Sequence, residues 1–394
     1  MPSSESPGAT YYASPDGGGD GRSSSSPFHI ADFWRVASPG DSLLLLDGRY
    51  VGAGSMIQPP EGLSGTPDRP ITVRAANDGQ AEIDGEAQRV PVHFRRNDHF
   101  ALEGVNAHHG SREVVALYHS NHNAVRRICA WEAGDHNNGN CFAVHYGEHN
   151  LFEDCAGWGT SRKVFTNSQG GNHTTYRRCW GRWEGCHVVG PKMTYSLFYN
   201  SHHILAENCI GTWDARRMVE THVVLRNDGR APYVSSRGSR RYYHPLTIAG
   251  YGVDQPYGIF AMDANNKYGW DQTTIGPSVY GCIAYTLPAQ KLDRFIGLYF
   301  VKSTAPDDGY LENCLALRSP GSQGSVGSMF SLTNCRGRSL TAVGECDRGS
   351  GTPGFESVVE LADGPGAPAN GRDCGVARYL HRDWRMIPGV FDPS

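Results

Sequence analysis

At 394 residues the chain is long enough for two or three ordinary domains, but a repeat solenoid reaches this length as one. Its 49 glycines, about 12% of the chain against roughly 7% in average proteins, and its 19% of charged residues favour many turns and few surface helices. The net charge of -4 argues against nucleic acid as the main partner, and no apolar run approaches the ~20 residues of a membrane span, Leu43 to Leu46 being the densest cluster.

Residues 1–26 are rich in Gly and Ser and read as a flexible segment. Ser26-Pro27 then offers an N-cap and a first-turn proline. Phe28, Ala31, Phe33, Trp34 and Val36 give a short helix an apolar face that would plug the open end of a solenoid. Strand and turn signals follow in PGDSLLLLDGRY, SGTPDRPITVRAAN and AEIDG.

From Asp98 to Asp214 one phrase is written five times: DHFALEGV, NHNAVRRI, EHNLFEDC, NHTTYRRC and HHILAENC. Aligned on His99, His122, His149, His173 and His203, the copies are 23, 27, 24 and 30 residues apart. Units this short cannot bury a core alone, so they stack. Alternation within each phrase makes the unit a strand, with Val105, Ile128, Cys155, Cys179 and Cys209 as an inward column. Strands about 4.8 Å apart then set equivalent residues one above another, so any site is a surface row drawn from distant residues. The five histidines form a row rather than a cluster around a point, and read as structural caps at the turn entering each strand.

Residues 215–272 break the period. Arg237, Arg240, Arg241, Tyr242 and Tyr243 in this stretch suit the carboxylates and ring faces of an anionic glycan, as a clamp over the coils. The phrase resumes in PSVYGC, GYLENC and FSLTNC, giving a solenoid of roughly ten coils over 27–335. Residues 336–394 are Gly/Pro-rich and read as an irregular wrap. Eleven cysteines cannot all pair with one another; the column reads as buried free thiols, with zinc the lesser alternative, and Cys346 with Cys374 as the candidate disulfide.

The run YYASPDG, PGDSLLLLDGRY, SGTPDRPITVRA and IDG, continued by the five-fold phrase, resembles the pectate-lyase-like right-handed parallel β-helix proteins. The resemblance implies an all-β, three-sheet β-helix, secreted or cell-surface, that acts on acidic polysaccharides. No signal peptide is visible, since MPSSESPGAT lacks an apolar core. The layout is most similar to the chondroitinase-B and alginate-lyase relatives. There, basic residues of successive coils stand on the strand before a turn, which here reads ALYHS, AVHYG, KVFTNSQ and SLFYNS. Tyr118, His145, Thr166 and Tyr199 then fall near one outward row, with His145 where those relatives have a lysine.

Eliminative cleavage of a uronate needs a base for the proton on carbon 5, a cation for the developing anion and an acid for the leaving oxygen. His145 or Lys163 is the candidate base, Arg162 or Lys192 the cation, and Tyr118, Tyr146 or Tyr199 the acid. A second row, Trp131, Trp158, Trp183 and Trp213, would form an aromatic ladder for sugar faces, or simply stack on itself. Glu184 and Asp214 beside it could hold calcium. Two other functions fit the same pattern. One is a non-catalytic structural or adhesive β-helix, such as a filament or appendage subunit, in which the aromatic turns serve self-association. The other is a glycoside hydrolase using Glu184 and Asp214, which needs carboxylates roughly 5 to 9.5 Å apart.

Overall fold

The computed structural model describes residues 8–134, 138–185, 192–197, 200–213, 257–263, 278–286, 295–301, 310–312, 314–317, 328–333, 336–338, 341–343, 346–348 and 359–361. The chain winds as a parallel β-helix. β1 (Thr10–Ala13) precedes helix α1 (Ile30–Phe33), β2 (Ser42–Leu45) and β3 (Gly48–Tyr50). Three-strand coils then follow: β4 (Ile71–Ala75), β5 (Ala81–Asp84) and β6 (Val92–Arg95); β7 (Phe100–Glu103), β8 (Val105–His108) and β9 (Val115–Tyr118). The next are β10 (Ala124–Arg126), β11 (Cys129–Trp131) and β12 (Asn140–His145); β13 (Leu151–Glu153), β14 (Ala156–Trp158) and β15 (Lys163–Ser168). After β16 (Thr175–Arg177), β17 (Trp180–Trp183) and β18 (Lys192–Leu197) come β19 (Leu205–Glu207) and β20 (Ile210–Trp213).

Every third strand pairs in parallel with its counterpart one coil on, so three sheets run along the stack, with β1, β3 and β6 opening the first, second and third. About six turns follow one another, against the roughly ten expected. Beyond them the strands are described as separate segments that keep the same order in the sheets. Two segment boundaries shift. Thr10–Ala13, within the stretch expected to be flexible, pairs with Ser42–Leu45, and Arg336–Arg338 and Thr341–Val343 continue the first two sheets past residue 335.

The corners explain a detail that simple alternation misses. Tyr176 and Cys179 are both fully inside, although they are three positions apart and a regular strand would turn them to opposite faces. Arg178 between them has φ +52, as do Arg127 (+53), Asp154 (+57) and Asn208 (+54) at the same place in neighbouring coils, with Gly104 (+69) starting the row. One left-handed residue per coil bends the chain, so both strands present an inward residue. His99, His122, His149, His173 and His203 form a second such corner, all with φ between 50 and 56.

The interior is stacked in like-on-like columns. Phe142, Phe165 and Tyr195 lie with ring centroids 4.7 and 4.8 Å apart and nearly parallel planes. Cys155, Cys179, Cys209, Cys282 and Cys314 are buried free thiols, the reading made for that column; Cys374 lies outside the described residues. Buried asparagines support the turns: Asn150 Oδ1 accepts from both the backbone N–H and the Nδ2 of Asn123 at 3.1 Å, and Asn150 Nδ2 donates to Ser120 O at 2.9 Å. Asn150→Ala strands two donors and a carbonyl, so unfolding by urea should show a loss of about 1–3 kcal/mol. On the outside, Glu103, Arg126, Glu153, Arg177 and Glu207 alternate in sign along one row of the first sheet, with contacts of 2.8 to 3.6 Å, which favours a single register.

At the β1 end, α1 buries Ile30 and Phe33 in the common core. The helix begins later than Ser26-Pro27 suggests. His29 stands at its N-cap with its backbone N–H 3.3 Å from the Asp32 carboxylate, and Val36, assigned to the apolar face, is 47% exposed.

Candidate functional site

The outer face of the third sheet gathers most of the groups with chemistry. Register sets Arg95, Tyr118, His145 and Ser168 in one row and His93, Ala116, Ala143 and Thr166 in the next. Lys163 opens β15 opposite Asn140, just before Val164 and Phe165, which are both in the core. Because two consecutive residues there point inward, strand alternation is interrupted, and Lys163 lies on the same side as His145.

His145 is 6% exposed, its Nδ1 in short contact with the Ser168 hydroxyl and its ring 4.5 Å from that of Tyr118. Its Nε2 has no hydrogen-bond partner among the described residues. Burial, then the Lys163 and Arg112 charges, lower its pKa to about 3, so it is neutral at pH 7. Lys163, 3% exposed, is held well below the ordinary lysine range by burial and next by Arg162. Burial raises the pKa of Glu113, which lies 3.0 Å from Arg112 Nε and accepts a hydrogen bond from the Tyr118 hydroxyl at 3.3 Å. His93, edge-on to Tyr118, is lowered to about 4, again chiefly by burial. Burial thus disfavours the charged form of each of these groups, and the arginines 95, 112 and 162 border them.

Of the residues singled out from sequence, Tyr118, His145 and Lys163 meet here. Arg162 borders them with its Nη1 on Asn138 Oδ1 at 2.8 Å. Thr166 belongs to the neighbouring row, and Ser168 takes its place beside His145. Tyr146 lies one residue past the strand with φ +56, stacked on His119 at 4.6 Å and 45% exposed. Tyr199 and the Lys192 side chain lie outside the described residues. Glu113, Arg112, Ser168 and His93 were missed; aligning the coils on Phe142 and Phe165 rather than on the turns would have found the first and third.

The tryptophan row differs from the expected ladder. Trp131 and Trp158 stack at 5.0 Å and 8°, with His108 on the far side of Trp131 at 4.4 Å. Their faces are thus used against one another and their edges point out. Trp183 is not in the row: β17 carries one residue more before it, so Arg182 falls in register with Trp158, and Trp183 is buried in the core with Nε1 donating to Ser161 O at 2.9 Å. Trp180, in register with Ala156, packs against Trp158 at 6.3 Å with its ring tilted by 44°. Glu184, the candidate calcium ligand and acid, is bonded to Arg182 at 2.5 Å. The Trp213 side chain, Asp214, Arg237, Arg240, Arg241, Tyr242 and Tyr243 lie outside the described residues.

The histidine column is a ladder of parallel rings with centroids 4.6 to 5.0 Å apart. Partial burial, then each ring's stacked neighbours, hold His122 and His173 below the usual imidazole range. Between the folded and unfolded values the unfolded chain binds more protons, so stability is present above about pH 6.5 and falls as pH drops below it. The melting temperature should decline from pH 7 to 5, less steeply for His149→Asn, which keeps a residue suited to positive φ; equal slopes for the two proteins would refute the coupling.

No protein-family model and no curated protein sequence matches the chain. Solved structures do. Pectate lyase Pel9A matches with 16% identity over 93% of this chain and 83% of that one, with a TM-score of 0.57. An alginate lyase from Paenibacillus sp. str. FPU-7 matches with 12% identity over 90% and 99%, TM-score 0.50. A GH136 lacto-N-biosidase from Eubacterium ramulus matches with 11% identity over 90% and 68%, TM-score 0.52. At these identities the likeness is one of fold, and that fold is the right-handed parallel β-helix of the pectate-lyase-like kind. Among the described residues no helix is long and apolar enough to cross a membrane.

Proposed function

We propose that the protein is an extracellular, polysaccharide-active β-helix that cleaves an acidic, uronate-containing glycan by β-elimination on the outer face of its third sheet. The observation that carries this is the pair of buried nitrogen bases on adjacent strands, His145 neutral and Lys163 held well below the ordinary lysine range, flanked by arginines. A neutral amine accepts a proton at pH 7, whereas an ordinary lysine is already charged.

In this scheme Lys163 Nζ takes the proton from carbon 5. The electron pair forms the double bond between carbons 4 and 5, and the glycosidic bond at carbon 4 breaks. Arg162 and Arg112 offset the charge gathering on the uronate carboxylate. Tyr118, whose hydroxyl is tied to Glu113, returns a proton to the leaving oxygen. Support from outside the chain comes from two of the fold neighbours, a pectate lyase and an alginate lyase.

One observation favours a non-catalytic structural or adhesive role: the same face is closed, with Ala143, Thr166 and Ser196 at 0 to 1% exposure. Incubating the protein with a panel of acidic polysaccharides separates the two. Ultraviolet absorbance from newly unsaturated uronate ends is the expected outcome. New reducing ends without that absorbance would mean hydrolysis, and no change in either would leave the structural role.

A further inference from the structure

At the start of the second sheet, away from the face just described, three side chains converge that the proposed chemistry does not use. Asp84 ends β5 and His108 ends β8, and the two are cross-strand partners. The next residue would ordinarily point to the opposite side of the sheet, but His109 has φ +49. The left-handed turn brings its ring back against that of His108, with centroids 4.6 Å apart. The result is a triangle of ligand atoms: His108 Nδ1 to His109 Nδ1 is 2.6 Å, Asp84 Oδ1 to His109 Nδ1 is 3.4 Å, and Asp84 Oδ1 to His108 Nδ1 is 3.7 Å.

We propose that Asp84, His108 and His109 bind a divalent transition-metal ion of the zinc class through Asp84 Oδ1 and the two Nδ1 atoms, leaving one position open to water. Ligand bonds of about 2.0–2.1 Å in tetrahedral geometry set donor atoms about 3.3 Å apart, close to the mean of these three edges. The contact between the two nitrogens has to open by about 0.7 Å and the Asp84–His108 edge to close by about 0.4 Å, and His109 is 48% exposed, with room to swing.

The surroundings select the same atoms. Glu82 Oε1 lies 2.5 Å from His108 Nε2, off the direction of a ring N–H, so a small rotation lets the carboxylate hold a proton on that nitrogen while Nδ1 presents its lone pair to the centre. A carboxylate behind a ligating imidazole is the usual outer support of such sites. Trp131, stacked on His108 at 4.4 Å and 14°, fixes the plane of the ring, and His108 is only 3% exposed at its side chain. Asp84, 1% exposed, is held from its other side: Arg49 Nε donates to Oδ2 at 3.1 Å, and the Glu86 N–H donates to Oδ1 at 2.7 Å. Two carboxylates against one guanidinium leave the pocket with net negative charge. In the metal-free protein the two Nδ1 atoms share one hydrogen, and an ion entering between them shifts it to the Nε2 of the same ring, the tautomer that frees both Nδ1 lone pairs to ligate. Two imidazoles and a single carboxylate suit zinc, cobalt or ferrous iron, whereas calcium and magnesium call for an all-oxygen shell.

The test is titration calorimetry of the chelator-dialysed full-length protein with Zn²⁺, repeated with Co²⁺ while its visible spectrum is followed. One ion per chain should bind. Glu82→Gln should weaken binding about 10- to 100-fold, and His109→Ala by at least as much. His149→Ala, which interrupts the separate column of stacked imidazoles, should leave it unchanged, as should excess Ca²⁺ or Mg²⁺. Asp84 is left intact because its bonds to Arg49 and to the Glu86 N–H hold the turn. The proposal falls if the wild-type chain binds no ion, or if His149→Ala removes binding that His109→Ala and Glu82→Gln leave intact.

Discussion

Lys163→Met should lower eliminative cleavage by about 10²- to 10⁴-fold, the usual worth of a general base, without lowering the melting temperature at pH 7. Methionine matches the length of the lysine stem and carries no amine to desolvate. The pH dependence separates this from simple damage to the fold. A lysine whose folded pKa is depressed binds fewer protons in the folded chain than in the unfolded one, so it subtracts stability at neutral pH. That penalty fades as pH rises toward the ordinary lysine value of about 10.4. The wild-type protein should therefore gain stability between neutral and alkaline pH by an amount the variant lacks. A variant that melts well below the wild type at pH 7 would show that the amine is a structural partner rather than a poised base. His145→Gln should cost less activity, because a group titrating at about 3 is a weak base and its Nδ1 is already engaged by Ser168.

The largest loss of stability belongs to Phe165→Ala. Phe165 is fully buried between Phe142 and Tyr195 in the central aromatic column, with Tyr176 edge-on at 5.5 Å. Removing the ring deletes contacts with the coils on both sides and leaves a cavity that parallel sheets on three sides cannot collapse to fill. Chemical denaturation should show a loss of about 3–5 kcal/mol. Phe165→Leu should recover more than half of it. A loss under about 1 kcal/mol would mean that the column relaxes freely, contrary to the close packing of protein interiors.

The architecture was legible because a solenoid writes its period into the chain. Five copies of one phrase, each with a histidine before the strand and a small apolar residue at its end, gave the coils and the inward column directly. The corners were not legible in the same way. Arginine, aspartate and asparagine at 127, 154, 178 and 208 give no sign that they sit at positive φ, and only stacking on one another's coils makes that conformation common to the row. Without those corners, strict alternation puts Tyr176 and Cys179 on opposite faces.

The candidate site was half visible for a related reason. His145 and Lys163 stood out as basic residues before a turn, but strands of unequal length shift the register, so Thr166 was aligned where Ser168 belongs. Glu113 was passed over because a carboxylate beside an arginine reads as a surface pair. The extra residue in β17 had a similar effect on the tryptophans, drawing Trp183 into the core and leaving Arg182 in register with Trp158. Asp84, His108 and His109 drew no notice at all, since their meeting depends on one left-handed turn after β8.

The protonation state of Lys163 is the most direct thing to measure, and it requires no knowledge of the glycan. Side-chain nuclear magnetic resonance of lysine-labelled protein, with Lys163→Met supplying the assignment, follows Nζ through a pH titration. The proposed function predicts an amine that is already neutral at pH 7 and titrates well below the other lysines. A Lys163 that remains charged until about pH 10.4, like a solvated lysine, would remove the base and with it the case for elimination on this face.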